Sequence, residues 1–177
     1  MIIKRGTHSP FRMPKLLLGN RTLRVRVRFT DTCVYGIDSD QSDINKLFGV
    51  GYFTWKFIYL KKVKIFGLNL SLPSLRPMHH VNSVRFGWRW SPQYQKIEVM
   101  PYCYQNGFRF MGWPRVLDLN RDYELKIDPS ERQHTMYWAG VSEGIRVKPS
   151  FWGYYLGTYF GGNRTAPHDI VIIIEHV

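Results

Sequence analysis

From Thr22 to Thr30 the chain alternates strictly. Leu23, Val25, Val27 and Phe29 fall on one side; Arg24, Arg26 and Arg28 fall on the other. Period two predicts a strand with one face buried and one cationic face in water. Ser83–Trp90 repeats the pattern, with Val84, Phe86, Trp88 and Trp90 set against Arg85, Gly87 and Arg89. Lys96–Gln105 follows the turn signal Ser91–Pro92. Asn106-Gly107 then supplies the positive φ angles of a tight hairpin, and Phe108–Trp113 is the predicted return strand. Phe53–Leu60, Val63–Leu70, Tyr123–Ile127, Thr135–Ala139 and Ile145–Val147 are further candidates.

The chain ends on an aromatic strand from Tyr154, a loop rich in Gly and Pro, and the apolar run Ile170–Ile174. An apolar run left as an open edge invites aggregation, so it predicts a central buried strand. Helical periodicity is nearly absent. The one short helix predicted is Ser42–Phe48, with Ser42 as its cap. Many short strands separated by turn signals predict an all-β fold, a single antiparallel β-sandwich or jelly roll with under one tenth helix. One domain spans 1–177, with an N-terminal arm over 1–20 and a long loop over 71–82.

Composition adds a sign to this picture. Hydrophobic residues make up 44% and aromatics 16% of 177 residues, enough for a sizeable core and for stacking surfaces. A net charge of +12 points to a polyanionic neighbour: an acidic glycan, an acidic protein surface or, with no reader motif to support it, nucleic acid. Solvated strand faces are the competing explanation. Cys33 and Cys103 lie in apolar strand contexts and are expected as two free thiols. The first residues, MIIKRGTHSPFRM, hold no apolar signal core, and no stretch has the length of a bilayer span. The expectation is synthesis in the cytoplasm without a signal peptide, and no membrane partner.

Three constellations are candidates for chemistry. Asp38, Asp40 and Asp43 form an acidic loop whose oxygens suit a structural calcium, the one cofactor considered. The spacing fails as an EF-hand, and capping of a short helix by Asp40 or Ser42 explains the same residues. His79-His80, followed by Asn82 and Arg85, is either a polar strand end or a hydrogen-bonding site at the mouth of the sandwich. Arg85, Arg89, Tyr102, Tyr104 and His80 together suit an anionic ligand, since Arg pairs with carboxylate or phosphate and Tyr stacks on flat rings. There is no G-x-S-x-G, no phosphate-binding glycine loop and no H-E-x-x-H. These absences lean against an enzyme.

The runs Asp43–Gly49, His79–Arg89, Tyr154–Asn163 and Ala166–Ile170 resemble a group of small β-sandwich proteins of gut Bacteroidales bacteria and their phages. They are more loosely similar to the concanavalin A-like lectin and glucanase superfamily. The resemblance implies a lectin-like jelly roll and a non-enzymatic role as a phage virion component, such as a capsid, fibre or tail accessory protein. Its partners would be other protein subunits of an assembly. The alternatives are a lectin-like module for an anionic glycan, or a polysaccharide lyase or hydrolase on the same scaffold using a Tyr, His and Arg group.

Overall fold

The computed structural model describes residues 1–10, 15–53, 59–65, 68–74 and 79–177. In chain order the strands are β1 (Ile2–Ile3), β2 (Leu16–Leu18), β3 (Leu23–Phe29), β4 (Asn45–Tyr52), β5 (Tyr59–Ile65), β6 (Leu68–Ser74), β7 (Ser83–Ser91) and β8 (Lys96–Gln105). They continue as β9 (Phe108–Met111), β10 (Arg115–Leu117), β11 (Asp122–Pro129), β12 (His134–Trp138), β13 (Val141–Ile145), β14 (Trp152–Leu156) and β15 (Ile170–His176). A six-stranded sheet runs β1-β15-β3-β11-β12-β13. A seven-stranded sheet runs β10-β8-β7-β4-β14-β2, with β9 also on β8, and β5 and β6 pair with each other. Every pairing among the described residues is antiparallel.

The period-two pattern explains why the two large sheets face each other. Leu23, Val25, Val27 and Phe29 of β3 are buried, as are Val84, Phe86, Trp88 and Trp90 of β7. Each such side chain contributes roughly 1.5–3 kcal/mol when taken out of water. The layers interlock through aromatic pairs: Phe29 with Trp88 at 5.4 Å and Phe86 with Trp138 at 6.0 Å between ring centroids. The chain is thus an all-β antiparallel sandwich. Among the described residues the only helical pieces are the 3-10 turns Asp31–Cys33 and Asp38–Asp40. Cys33 and Cys103 are both buried and free.

The arginine face of β3 is not a free cationic stripe. Arg24 pairs with Glu124 at 2.9 Å, Arg26 with Glu175 at 3.8 Å and Arg28 with Asp122 at 2.7 Å. Exposed pairs of this kind add at most about 1 kcal/mol each. Their larger effect is to cancel charge on the outside of the six-stranded sheet.

Three expectations need correction. Ser42–Phe48 is not a helix: β4 begins at Asn45, and its register shifts between Lys46 and Gly49. The bulge buries both Leu47 and Phe48, which breaks the alternation that would have marked a strand. Ile170–Ile174 is not central. β15 lies between β3 and the two-residue β1, with Ile170 and Ile172 buried and Ile173 38% exposed. The N-terminal arm covers that edge, and the terminal amine donates to the Ile172 carbonyl at 2.7 Å. The loop over 71–82 is shortened, since β6 reaches Ser74. Part of the predicted strand Phe53–Leu60 and of that loop, residues 54–58 and 75–78, lies outside the described residues, as do 66–67 between β5 and β6.

One polar pair sits inside the sandwich. Tyr52 Oη donates to His134 Nε2 at 2.6 Å, while His134 Nδ1–H donates to the Val147 carbonyl at 2.8 Å. Burial pushes the imidazole down to about 4 from 6.5, against the opposing pull of the Val147 carbonyl. The unfolded chain therefore binds this proton more readily than the folded one. The stability due to neutral His134 is complete above pH 6.5 and falls as pH drops through 4, by ~3 kcal/mol in all. Urea titrations at pH 7 and pH 4.5 should show the penalty of His134→Gln shrinking in acid. Parallel losses in the variant and the wild type would contradict this origin.

Candidate functional site

The outer face of the seven-stranded sheet carries the candidate site. Residues of β7 that alternate with the buried tryptophans point there, and so do Tyr102 and Tyr104 of β8, Arg109 of β9 and Tyr154 of β14. Small residues clear the floor: Gly49 and Gly51 of β4 lie beneath Arg85 and Tyr154. The result is a cleft of about 860 Å³ whose lining includes Lys46, His79, His80, Arg85, Tyr102, Tyr104, Tyr154 and Tyr159. Among the described residues that line it there is no Asp or Glu.

Arg85 is the central group. It is only 7% exposed, and its Nη2 donates to the Gly157 carbonyl at 3.1 Å. Its Nε is buried, with no hydrogen-bond partner among the described residues. Burial lowers the guanidinium to about 10, while Tyr102, Cys103, Tyr104 and Tyr154 act the other way, so it stays charged at neutral pH. A buried cation without a carboxylate is costly, and a site that holds one is set up for an anion.

Lys46 adds a second cation. The bulge in β4 aims it at the cleft. Its backbone exchanges hydrogen bonds with Tyr159, at 2.7 and 2.9 Å. Its ammonium donates to the Gly161 carbonyl at 3.1 Å and lies 5.0 Å from the Tyr102 ring. Burial lowers its proton affinity, and Arg85 and Arg109 add to that, against Tyr102 and Asp43. Asn45 fixes the neighbouring turn: it donates to Tyr35 Oη at 2.7 Å and accepts from the Gly161 amide at 2.5 Å. The N-terminal arm closes one side, where His8 stacks on Tyr159 at 4.8 Å.

Tyr102 and Tyr104 form a hydrogen-bonded phenol pair with rings 5.9 Å apart. Burial alone would raise the Tyr102 phenol. The hydrogen bond from Tyr104, the charge of Lys46 and the hydrogen bond from Arg109 overcome it, and the phenol is lowered. Tyr104 moves the other way, pushed up to about 12 by burial and by its bond to Tyr102. His80 packs edge-on against Tyr104 at 5.1 Å and against His79 at 4.2 Å. His79 is held neutral, pushed down to about 4 by burial and by the charges of His80 and Arg85.

Four of the residues singled out in the sequence, His80, Arg85, Tyr102 and Tyr104, therefore share one cleft. Arg89 does not join them. It donates to Glu98 Oε2 at 2.5 Å and to the Ser42 carbonyl at 3.2 Å. The expectation that Arg85 is exposed is corrected: it faces away from the tryptophans but is covered by the cleft walls. The acidic loop holds Asp40 against Arg164 at 2.7 Å, while Asp43 acts on Lys46 and Arg109. Asp38 begins the second 3-10 turn. Among the described residues no three His, Cys, Asp or Glu side chains converge as a metal site. Lys46 is the site residue the sequence did not flag. Its one signal, a lysine inside an apolar run, was hidden by the predicted helix.

No protein-family model matches the chain, and none of the curated proteins compared matches it in sequence. Among solved structures it is similar to a family 7 alginate lyase, A1-II′, in complex with product. The identity is 8%, the match covers 93% of this chain and 66% of that one, and the TM-score is 0.49. It is similar to alginate lyase AlyC3 in complex with dimannuronate, at 12% identity, 97% and 68% coverage and a TM-score of 0.43. It is also similar to CG-16, a homodimeric agglutinin from chicken liver, at 8% identity, 99% and 98% coverage and a TM-score of 0.35. The chain spans just under two thirds of the length of the A1-II′ chain. At identities this low nothing of the site carries across.

The cleft floor makes a prediction about stability. A Cβ at Gly49 would collide with the Val84 carbonyl and the Arg85 backbone, whereas one at Gly157 would meet nothing within 4 Å. Gly49→Ala should cost about 1–3 kcal/mol in a urea titration. Gly157→Ala should stay within about 0.5 kcal/mol of wild type. Equal effects would show that the floor is not tightly packed.

Proposed function

We propose that the cleft on the seven-stranded sheet binds an acidic glycan, with a sugar carboxylate seated on Arg85. The observation that carries this reading is the buried Arg85 guanidinium in a cleft whose described lining holds no Asp or Glu. A carboxylate matches the planar fork of arginine and supplies the missing counter-charge. Lys46 adds attraction from β4. The tyrosines and histidines around them offer ring faces and hydroxyl partners, which suit a hydroxylated ring better than an aliphatic acid.

Charge placement favours a glycan over nucleic acid. A phosphate backbone needs a track of free cations. Arg24, Arg26 and Arg28 of β3 and Arg89 of β7 are each paired with an acid, so neither strand offers such a track. A role as a subunit of an assembly would fill the same cleft with an acidic side chain from a partner protein, and that occupant is the competing outcome of the test.

Calorimetric titration with oligomers of a uronic acid tests the reading. Wild type should bind, with affinity that falls as salt rises. Arg85→Gln should weaken binding by roughly tenfold to a hundredfold, the usual worth of a charge-assisted hydrogen bond. Arg89→Ala should leave it within about twofold. Binding lost equally in both variants would move the site away from the cleft. Binding of an acidic peptide but of no uronate would favour the assembly role.

A further inference from the structure

We propose that this chain pairs with a second copy of itself along β9, forming a symmetric dimer whose two clefts open on the same side. The pairing stands on β9 alone. What the paired clefts do together rests on the acidic-glycan reading.

β9 is an apolar strand left in water. Phe108 is 81% exposed and Trp113, just past the strand, 84%; Phe110 and Met111 are exposed between them. Large apolar side chains grouped on a sheet edge mark an interaction surface. Among the described residues β9 pairs with β8 and with no other strand. The phase of that pairing is fixed. Across the two-residue turn at Asn106-Gly107, Gln105 and Phe108 exchange hydrogen bonds, and every second pair does so after them. Gly112 keeps the phase, donating to the Pro101 carbonyl at 3.0 Å. The amides and carbonyls of Arg109 and Met111 therefore point away from β8. Among the described residues no backbone group bonds to them from that side.

The strand is complementary to itself, as a twofold interface requires. An antiparallel copy related by an axis through Phe110 sets Arg109 opposite the partner's Met111, and the reverse. Both positions bring their outward groups to the seam, so four backbone hydrogen bonds form about the axis. The same register sets Phe110 against the partner's Phe110 and Phe108 beside the partner's Gly112. Carried past the strand end, it brings Trp113 to the partner's Gly107, around which a Cβ would meet nothing within 4 Å. An axis through Arg109 instead sets like charges directly opposite. It also needs the Gly107 amide, which already donates to the Val81 carbonyl at 3.0 Å. An axis through Met111 leaves Arg109 facing Trp113, beyond the end of β9.

Residues directly opposite across such a seam share a face of the sheet. The two seven-stranded sheets become one, with both Arg85 clefts on its outer side. From β7 to the partner's β7 is five strand spacings, about 24 Å. A long acidic polymer spans that gap, whereas a short oligomer fills one cleft.

Sedimentation velocity over a concentration series tests the pairing. Wild type should show a species of twice the chain's mass that dissociates on dilution. Met111→Pro removes an outward amide that β8 does not use. It should fold and melt cooperatively while weakening the dimer at least about tenfold. Phe110→Lys should weaken it too, by setting two ammonium groups face to face. Cross-linking checks the register. Phe110→Cys lies opposite its own copy, about 4.5 Å away between Cα atoms and within disulfide reach. It should link two chains under mild oxidation. Arg109→Cys should not, and neither should wild type, whose cysteines are buried. A monomeric wild type, a dimer unmoved by both substitutions, or linking through Arg109→Cys but not Phe110→Cys would overturn the pairing. An alginate-coated surface tests the paired clefts. Wild type should bind it at least about tenfold more tightly than Met111→Pro, while a uronate trisaccharide binds both within about twofold. Equal binding to the surface would overturn the bridging and leave the dimer. Binding to no uronate would remove the glycan reading and the bridging with it, again leaving the dimer.

Discussion

The site depends on a guanidinium kept out of water without an acid to balance it. Arg85 sits on β7 directly opposite the tryptophan face, so the residues that build the core also hold the cation in place. Its Nη2 donates to the Gly157 carbonyl, and the phenols of Tyr102, Tyr104 and Tyr154 lie near enough to favour its charge without cancelling it. Among the described residues, five other arginines are paired with acids: Arg24, Arg26 and Arg28 on β3, Arg89 on β7, and Arg164. The contrast makes Arg85 informative. A net charge of +12 says little alone; a buried guanidinium in a cleft with no Asp or Glu among its described lining residues says more.

The sandwich makes this arrangement affordable. Two sheets interlock through Phe29, Trp88, Phe86 and Trp138, and the outer sheet face is then free to carry polar residues. Glycines at 49 and 51 let Arg85 and Tyr154 lie flat across β4. The bulge after Lys46 turns that lysine into the same space. The turn around Gly161 is anchored by Asn45 and the arm at His8, which brings the first residues of the chain into the site wall.

Much of this was legible in the sequence where period two is unbroken. Thr22–Thr30 and Ser83–Trp90 gave their faces correctly, and the Asn106-Gly107 turn gave β8 and β9. Alternation put Arg85 opposite the tryptophans and Tyr102 with Tyr104 on one face of the next strand, while His80, in the loop ahead of β7, was grouped with them on its chemistry. Legibility stopped where the period broke. The bulge at Lys46 made β4 look helical and hid a site cation. The neighbours of Ile170–Ile174 could not be read, because edge position depends on which distant strand arrives; two residues of the N-terminus turned out to cover it. Nor does alternation reveal pairing, so Arg85 and Arg89 looked alike until Glu98 was seen to hold one and leave the other.

The most direct measurement compares a uronate oligomer with the same oligomer after its carboxyl groups are reduced to alcohols. The rings and hydroxyls are unchanged and only the charge is gone. The account predicts that the acid form binds the wild-type protein and the reduced form binds at least tenfold more weakly, with the gap closed in Arg85→Gln. Equal binding of the two forms by the wild type would contradict it, because the buried cation would then have no part in recognition.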